Sequence, residues 1–296
     1  MVNKQVLIRA DAPLSEVTVT RWRSGLLTQA KDKVAEEVPI ALIYNGVSHA
    51  VMLATPQDLE DFALGFSLSE DILQNKSELY DVEIVMQPQG IELRLDVATE
   101  CFVKLKERRR NLVGRTGCGL CGAESLEQVL RLPSIESNNE KTGEDLLSSI
   151  RGLSGASIAT IKASSIQAAF RKMQAKQVLQ QATGATHACA WVSTELNADG
   201  EIQLLREDVG RHNAMDKLIG ALAKLPSQHN GFVLTSSRAS VEMVQKVALA
   251  GYNTLAAISA PTGLAVRIAA AYNVTLVGFL RDNQFVIYTH ADRIRP

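Results

Sequence analysis

The chain has 296 residues, of which 46% are hydrophobic and 21% charged, with a formal net charge of −1. That is enough apolar material for one large core or two modest ones, and the near-neutral balance excludes non-specific nucleic-acid binding, leaving any phosphate to local arginines. No run of about eighteen apolar residues marks a membrane span and residues 1–9 hold no long apolar stretch, so a soluble, cytoplasmic protein is expected.

The first strong local signal is Asn45-Gly46, flanked by apolar runs at residues 39–44 and 49–54, which predicts a β-hairpin. Residues 57–73 follow with Leu59, Phe62, Ala63, Phe66 and Ile72 at helical spacing behind Thr55-Pro56, and predict a helix over that sheet. Alternation at residues 82–86 and 91–97 around Pro88-Gln89-Gly90 predicts a second hairpin, and the basic run Arg108-Arg109-Arg110 comes after it. Next comes Gly114-Arg115-Thr116-Gly117-Cys118-Gly119-Leu120-Cys121-Gly122, ahead of a helical pattern at residues 123–130. Cys121 is then expected near a helix N-terminus, where the macrodipole favours a thiolate. The polar stretch 133–143 reads as a linker, so that residues 1–135 form a smaller N-terminal α+β domain carrying the cysteine pair and residues 145–296 a second domain.

In the second half, a helix with Ile166, Ala169, Phe170 and Met173 on one face is expected from Ser164 or Ser165 to Thr183-Gly184. Short apolar strands at residues 187–192, 202–205, 232–234, 255–258 and 275–279 then alternate with helices starting near Arg211, Ser240 and Leu264. This alternation predicts an α/β domain with a mostly parallel sheet, α+β for the chain overall. Three polar loops, at residues 235–240, 259–263 and 280–283, leave carboxyl ends of these strands. In open α/β sheets the ligand crevice lies outside those ends, and hydroxyls, arginines and helix-start amides suit phosphate oxygens.

Cys118 and Cys121 have the spacing for half of a zinc site, a dithiol–disulfide couple or a persulfide carrier. No second close cysteine pair completes a zinc site, none of the histidines has Glu two positions on as zinc deaminases require, and no βαβ pattern surrounds the pair as in thioredoxins. An exposed thiolate between glycines fits sulfur carriage better. Cys101 and Cys189 lie in apolar surroundings and read as core residues, as does His187 on its apolar strand. The polar segment Arg206-Glu207-Asp208-Val209-Gly210-Arg211-His212-Asn213-Ala214-Met215-Asp216-Lys217 is open to two readings: a helix capped by Asp208 with exposed charges, or a functional turn.

Gly117-Cys118-Gly119-Leu120-Cys121-Gly122, the segment 206–220, Ser237-Arg238-Ala239-Ser240 and Ser259-Ala260-Pro261-Thr262 together resemble the FdhD family of formate dehydrogenase accessory sulfurtransferases. The resemblance implies a sulfurtransferase that takes persulfide sulfur from a cysteine desulfurase. Its acceptor would be the bis-molybdopterin guanine dinucleotide cofactor of formate dehydrogenase, holding molybdenum or tungsten, with GDP as a surrogate ligand. It also implies a three-layer, cytidine-deaminase-like second domain without the zinc site, and a homodimer. Cys118 matches the persulfide-bearing cysteine and Cys121 its supporting partner. Phe279-Leu280-Arg281-Asp282-Asn283-Gln284 matches the cofactor-binding stretch, with Arg211, Arg238 and Thr262 as further candidates. Two departures are Ser237, where many members have glycine, and Cys189, where a small residue is usual. The alternative reading is a cofactor-binding chaperone without sulfur chemistry.

Overall fold

The computed structural model describes residues 10–110, 160–194, 200–225 and 230–296. The first element is a hairpin that the apolar pattern does not announce: β1 (Leu14–Arg23) and β2 (Leu26–Ala35) pair antiparallel, with Trp22 opposite Leu27. Ser24 and Gly25 make its turn with φ of 50° and 86°. Both strands carry charged residues and are largely exposed, and only Val17 and Val19 of β1 show the alternation of a half-buried strand.

The expected hairpins and helix follow. β3 (Val38–Tyr44) and β4 (Val47–Ala54) turn at Asn45 and Gly46, both at positive φ. α1 is Leu59–Ser69, and β5 (Leu79–Gln87) pairs with β6 (Gly90–Val97). The four strands lie in the order β4-β3-β6-β5, parallel only between β3 and β6. Asn45 locks that parallel pair: its amide donates to Val97 O at 2.9 Å and accepts from Val97 N at 2.8 Å. Val38, Ile40, Leu42 and Tyr44 are fully buried at alternate positions and share a core with Phe62 and Phe66 of α1. A further helix, α2 (Thr99–Arg110), holds the basic run at its end.

The second half begins with β7 (Ile161–Lys162), α3 (Ala163–Lys176) and α4 (Val178–Thr183), where one helix was expected. The chain breaks at Gln177, φ −80° and ψ 80°, and α3 is capped by Lys162, while Ser165 is buried inside it. Then come β8 (His187–Ser193), β9 (Glu201–Asp208), α5 (Arg211–Ala223), β10 (Gly231–Thr235), α6 (Val241–Leu249), β11 (Thr254–Ala257), α7 (Gly263–Ala271), β12 (Thr275–Arg281) and β13 (Gln284–Ile287). A short β14 (Ile294–Arg295) pairs parallel with β7.

The sheet order is β13-β12-β11-β10-β8-β9. Its centre, β10 to β12, is parallel, but β8 lies antiparallel to both β9 and β10, and β13 is antiparallel to β12. The mixed α/β class stands, and the sheet is mixed rather than mostly parallel. Short links such as Asp282-Asn283 can only return a strand antiparallel, whereas parallel neighbours need a crossover, here supplied by α6 and α7. One face buries Ala188, Phe232, Ala256 and Val277 with Ile166, Phe170 and Met173 of α3. The other buries Cys189, Val233, Leu255 and Leu276 with α5, α6 and α7.

That second core is continuous with the core under the four-stranded sheet. The two halves meet where α1 crosses α5. A Cβ on Gly65 would lie 1.7 Å from Asp216 O, and one on Gly220 would lie 1.9 Å from Asp61 O. The helices therefore touch backbone to backbone, and only glycine permits that approach. The expected domain boundary between 135 and 145 lies outside the described residues.

Candidate functional site

Because β10, β11 and β12 are parallel, their carboxyl ends lie along one edge, and the three polar loops bond to one another there. Ser259 N donates to Ser237 O at 3.4 Å, Thr262 N to Ala239 O at 3.1 Å, and Phe279 N to Ser259 O at 3.3 Å. Gly278 lets β12 pass this close, since a Cβ there would meet Pro261 at 2.9 Å. The register slips between Gly278 and Arg281, and Phe279 sits at φ 53° with its ring 43% exposed. A non-glycine residue held in the left-handed region beside an irregular pairing marks a locally imposed conformation.

The expected binding stretch splits along this edge. Leu280 is buried in the core, whereas Arg281, Asp282, Asn283 and Gln284 are exposed on the β12–β13 turn. Arg281 Nη1 donates to Ile258 O at 2.9 Å and to Leu280 O at 2.6 Å, fixing the guanidinium beside the end of β11. Arg238 is exposed on the middle loop. Thr262 caps α7, its hydroxyl accepting from Ala265 N at 3.3 Å. Ser237, the departure from glycine, folds inward: its hydroxyl lies 3.1 Å from that of Thr235 and donates to Arg238 O at 2.9 Å. It is not at positive φ, so the serine is accommodated without backbone strain.

Beside this edge lies a cavity of about 490 Å³ lined by Ser236 of the first loop, Ile258 at the end of β11, and residues the sequence did not single out, among them Gln177, Gln180 and Thr186. Ile258 is the residue whose carbonyl holds Arg281, so the exposed arginine stands next to the cavity. His187 also lines it and is half-buried rather than a core residue. Burial, reinforced by the positive charge of Arg211, pushes its pKa below the ordinary value and favours a neutral ring. The position at the strand ends was legible from pattern, but the glutamines of α3 and α4 gave no signal, because amides on a helix look like solvated surface.

Arg211 opens α5 and is partly buried, its Nε atom enclosed without a hydrogen-bond partner among the described residues. Arg206, Asp208, Asn213, Asp216 and Lys217 of its motif are structural. Asp208 does not cap the helix, since the N-cap is Gly210. Instead it pairs with Lys217 at 2.7 Å and accepts from Thr55 N, Gly210 N and Asn213 Nδ2 at 3.0, 2.8 and 3.1 Å. Asn213 also donates to Leu53 O, and Lys217 to Thr55 O. Asp216 receives Ser69 Oγ at 2.6 Å and Lys246 Nζ at 2.8 Å, and Arg206 reaches Asp61 at 2.7 Å. Leu53, Thr55, Asp61 and Ser69 all precede the cysteine pair in sequence, so the charge run is neither exposed nor part of the crevice lining. It bolts the two halves together. Burial alone would lower the pKa of Lys246, but Asp216 and Glu70 outweigh it and hold the amine charged.

Cys118 and Cys121 lie outside the described residues. Cys101 and Cys189 are buried. Burial pushes the Cys189 thiol up to about 12, with its sulfur 3.5 Å from the Thr235 hydroxyl, and raises that of Cys101. Both are therefore poor nucleophiles.

A sequence model of the FdhD/NarQ family matches residues 35–295. A protein named sulfur carrier protein FdhD from Cupriavidus necator is 54% identical over 282 residues, covering 95% of this chain and 90% of that protein. Another of the same name from Bordetella petrii is 47% identical over 285 residues, covering 95% and 94%. Among solved structures, one described as a formate dehydrogenase accessory protein from Desulfotalea psychrophila superposes with a TM-score of 0.68 at 21% identity. It covers 95% of this chain and 99% of that one, a likeness of fold. With its motifs in order and matches that span nearly its whole length, the chain belongs to the FdhD/NarQ family.

Proposed function

We propose that the protein is a sulfur carrier for formate dehydrogenase maturation. In this reading Cys118 takes sulfane sulfur from a cysteine desulfurase and delivers it to a bis-molybdopterin guanine dinucleotide held in the crevice. The observation that carries the acceptor site is the cavity at the strand ends with Arg281 fixed beside it through Ile258 O. Relatives named sulfur carrier proteins at 54% and 47% identity support the chemistry. The cavity, of about 490 Å³, falls in the range of small-ligand sites. It suits one arm of a dinucleotide, with Arg238, Arg281 and the hydroxyl of Thr262 along the adjoining edge for phosphates.

The chemistry balances with a donor persulfide, the two cysteines and a thiol reductant. Cys118 thiolate attacks the outer sulfur of the donor's persulfide, forming its own persulfide and releasing the donor thiolate. Cys121 thiolate then attacks the inner sulfur, a Cys118–Cys121 disulfide forms, and the outer sulfur leaves as hydrosulfide for the acceptor. A cellular thiol reductant restores the dithiol. Gly117 and Gly119 on either side of Cys118 suit a segment that must accommodate the added sulfur.

The test is complementation of a strain lacking its own copy of the gene, reading formate dehydrogenase activity. Cys118→Ala is expected to abolish activation and Arg281→Ala to weaken it. Full activation by Cys118→Ala would show that the protein acts as a cofactor chaperone without sulfur chemistry.

A further inference from the structure

Glu207 is a buried carboxylate, 5% exposed, on β9. Its oxygens accept Leu179 N at 2.9 Å, Gln180 N at 2.8 Å and Thr186 Oγ1 at 3.1 Å. Those donors are the start of α4 and the residue just before β8, which together form a wall of the cavity. One side chain thus holds both ends of that wall. Its backbone carbonyl also accepts Gln57 Nε2 at 3.2 Å, tying the wall to the segment that leads into α1.

The wall carries two glutamines whose hydrogen-bonding capacity is not used up. Gln180 Oε1 accepts from Thr186 N at 2.8 Å. That bond fixes which atom is oxygen and leaves the NH2 group without a partner among the described residues. Gln177 is 5% exposed and lines the cavity, and its side-chain amide has no partner among the described residues. Both amides border the cavity, where their open donor and acceptor positions are available to a ligand. No lysine or arginine lines the cavity, and the Glu207 carboxylate lies directly behind the wall. The wall therefore suits an uncharged ring bearing adjacent donors and acceptors rather than a phosphate, whose cationic partners stand outside at the loop edge.

Resting on the crevice as the acceptor's seat, we infer that Gln177 and Gln180 read the neutral nitrogen heterocycle of the ligand and that Glu207 is the positioning residue that holds them. The ligand then lies with its ring against α4 and its phosphates toward Arg281.

The experiment titrates the full chain with GDP, ADP and inorganic pyrophosphate by calorimetry, for wild type, Gln177→Leu, Glu207→Gln and Arg281→Ala. Gln177→Leu keeps the volume and removes only the amide, so it remains informative if Glu207→Gln folds poorly. Both wall variants should weaken GDP about tenfold and reduce any preference over ADP, while pyrophosphate binding is unchanged; Arg281→Ala should weaken GDP and pyrophosphate together. Wild-type affinity for GDP in both wall variants overturns the inference and leaves the crevice standing. Equal loss of pyrophosphate binding in Gln177→Leu also overturns it. A wild-type chain that binds neither nucleotide overturns the crevice reading itself.

Discussion

Asp208 and Lys217 form a 2.7 Å ion pair in which both side chains have 0% exposure. It lies at the junction of the two halves, with Thr55 supplying both a donor to the carboxylate and an acceptor for the amine. Such a pair adds little net stability over a well-packed apolar one, but breaking it leaves a buried charge uncompensated. Lys217→Ala is predicted to destabilise the protein by about 3–5 kcal/mol, read as the shift in chemical denaturation. The double variant Asp208→Asn with Lys217→Met should recover part of that loss. A single variant as stable as wild type would contradict the account of the joint.

The crossing of α1 and α5 makes a second, independent prediction. Gly65→Ala forces a methyl to within 1.7 Å of Asp216 O, which the helices relieve only by separating. The expected cost is about 3 kcal/mol or more, with earlier proteolysis between the halves. Gly184→Ala, where a Cβ would meet nothing within 4 Å but φ is 69°, should cost only about 1 kcal/mol. Limited proteolysis and thermal melts on the two variants compare steric overlap with backbone strain.

His212 supplies a pH dependence. Burial, then Arg211 and Lys246, lower its pKa to about 4, while Glu242 and Glu70 oppose the shift. The unfolded chain, with a histidine pKa of about 6.5, therefore binds the proton first as pH falls. This contribution to stability is fully present above about pH 6.5 and is lost progressively toward pH 4, amounting at most to about 3 kcal/mol. His212→Gln should flatten that part of the stability profile in urea titrations between pH 7 and pH 4. An unchanged slope would show that the ring is not held neutral.

Much of this fold was legible in the sequence for reasons local to each element. Asn45-Gly46 specifies its turn, and helix starts near Arg211, Ser240 and Leu264 follow from apolar spacing that survives in the structure as α5, α6 and α7. The β1–β2 hairpin was not, because Trp22, Leu26 and Leu27 face solvent and leave no one-sided pattern; it also precedes the span matched by the family model. The polar motif at 206–217 misled in another way. Charges on a helix are ordinarily solvated, whereas Arg206, Asp208 and Asp216 also bond to Asp61, Thr55 and Ser69, about 150 residues earlier and beyond any local window. At the candidate site, the strand-end loops and Arg281 came from pattern and family motif, but Gln177, Gln180 and Glu207 did not. A cavity lining assembled from separate elements has no spacing rule in sequence.

Sulfur carriage at Cys118 is read out by intact-mass spectrometry. The purified protein is incubated with a cysteine desulfurase and cysteine, alongside Cys118→Ala and Cys121→Ala variants. Wild type and Cys121→Ala should gain about one sulfur atom, removed by thiol reductant, and Cys118→Ala should gain none. A wild-type chain that gains no sulfur, or a Cys118→Ala variant that gains it equally, would show that Cys118 is not the sulfur carrier.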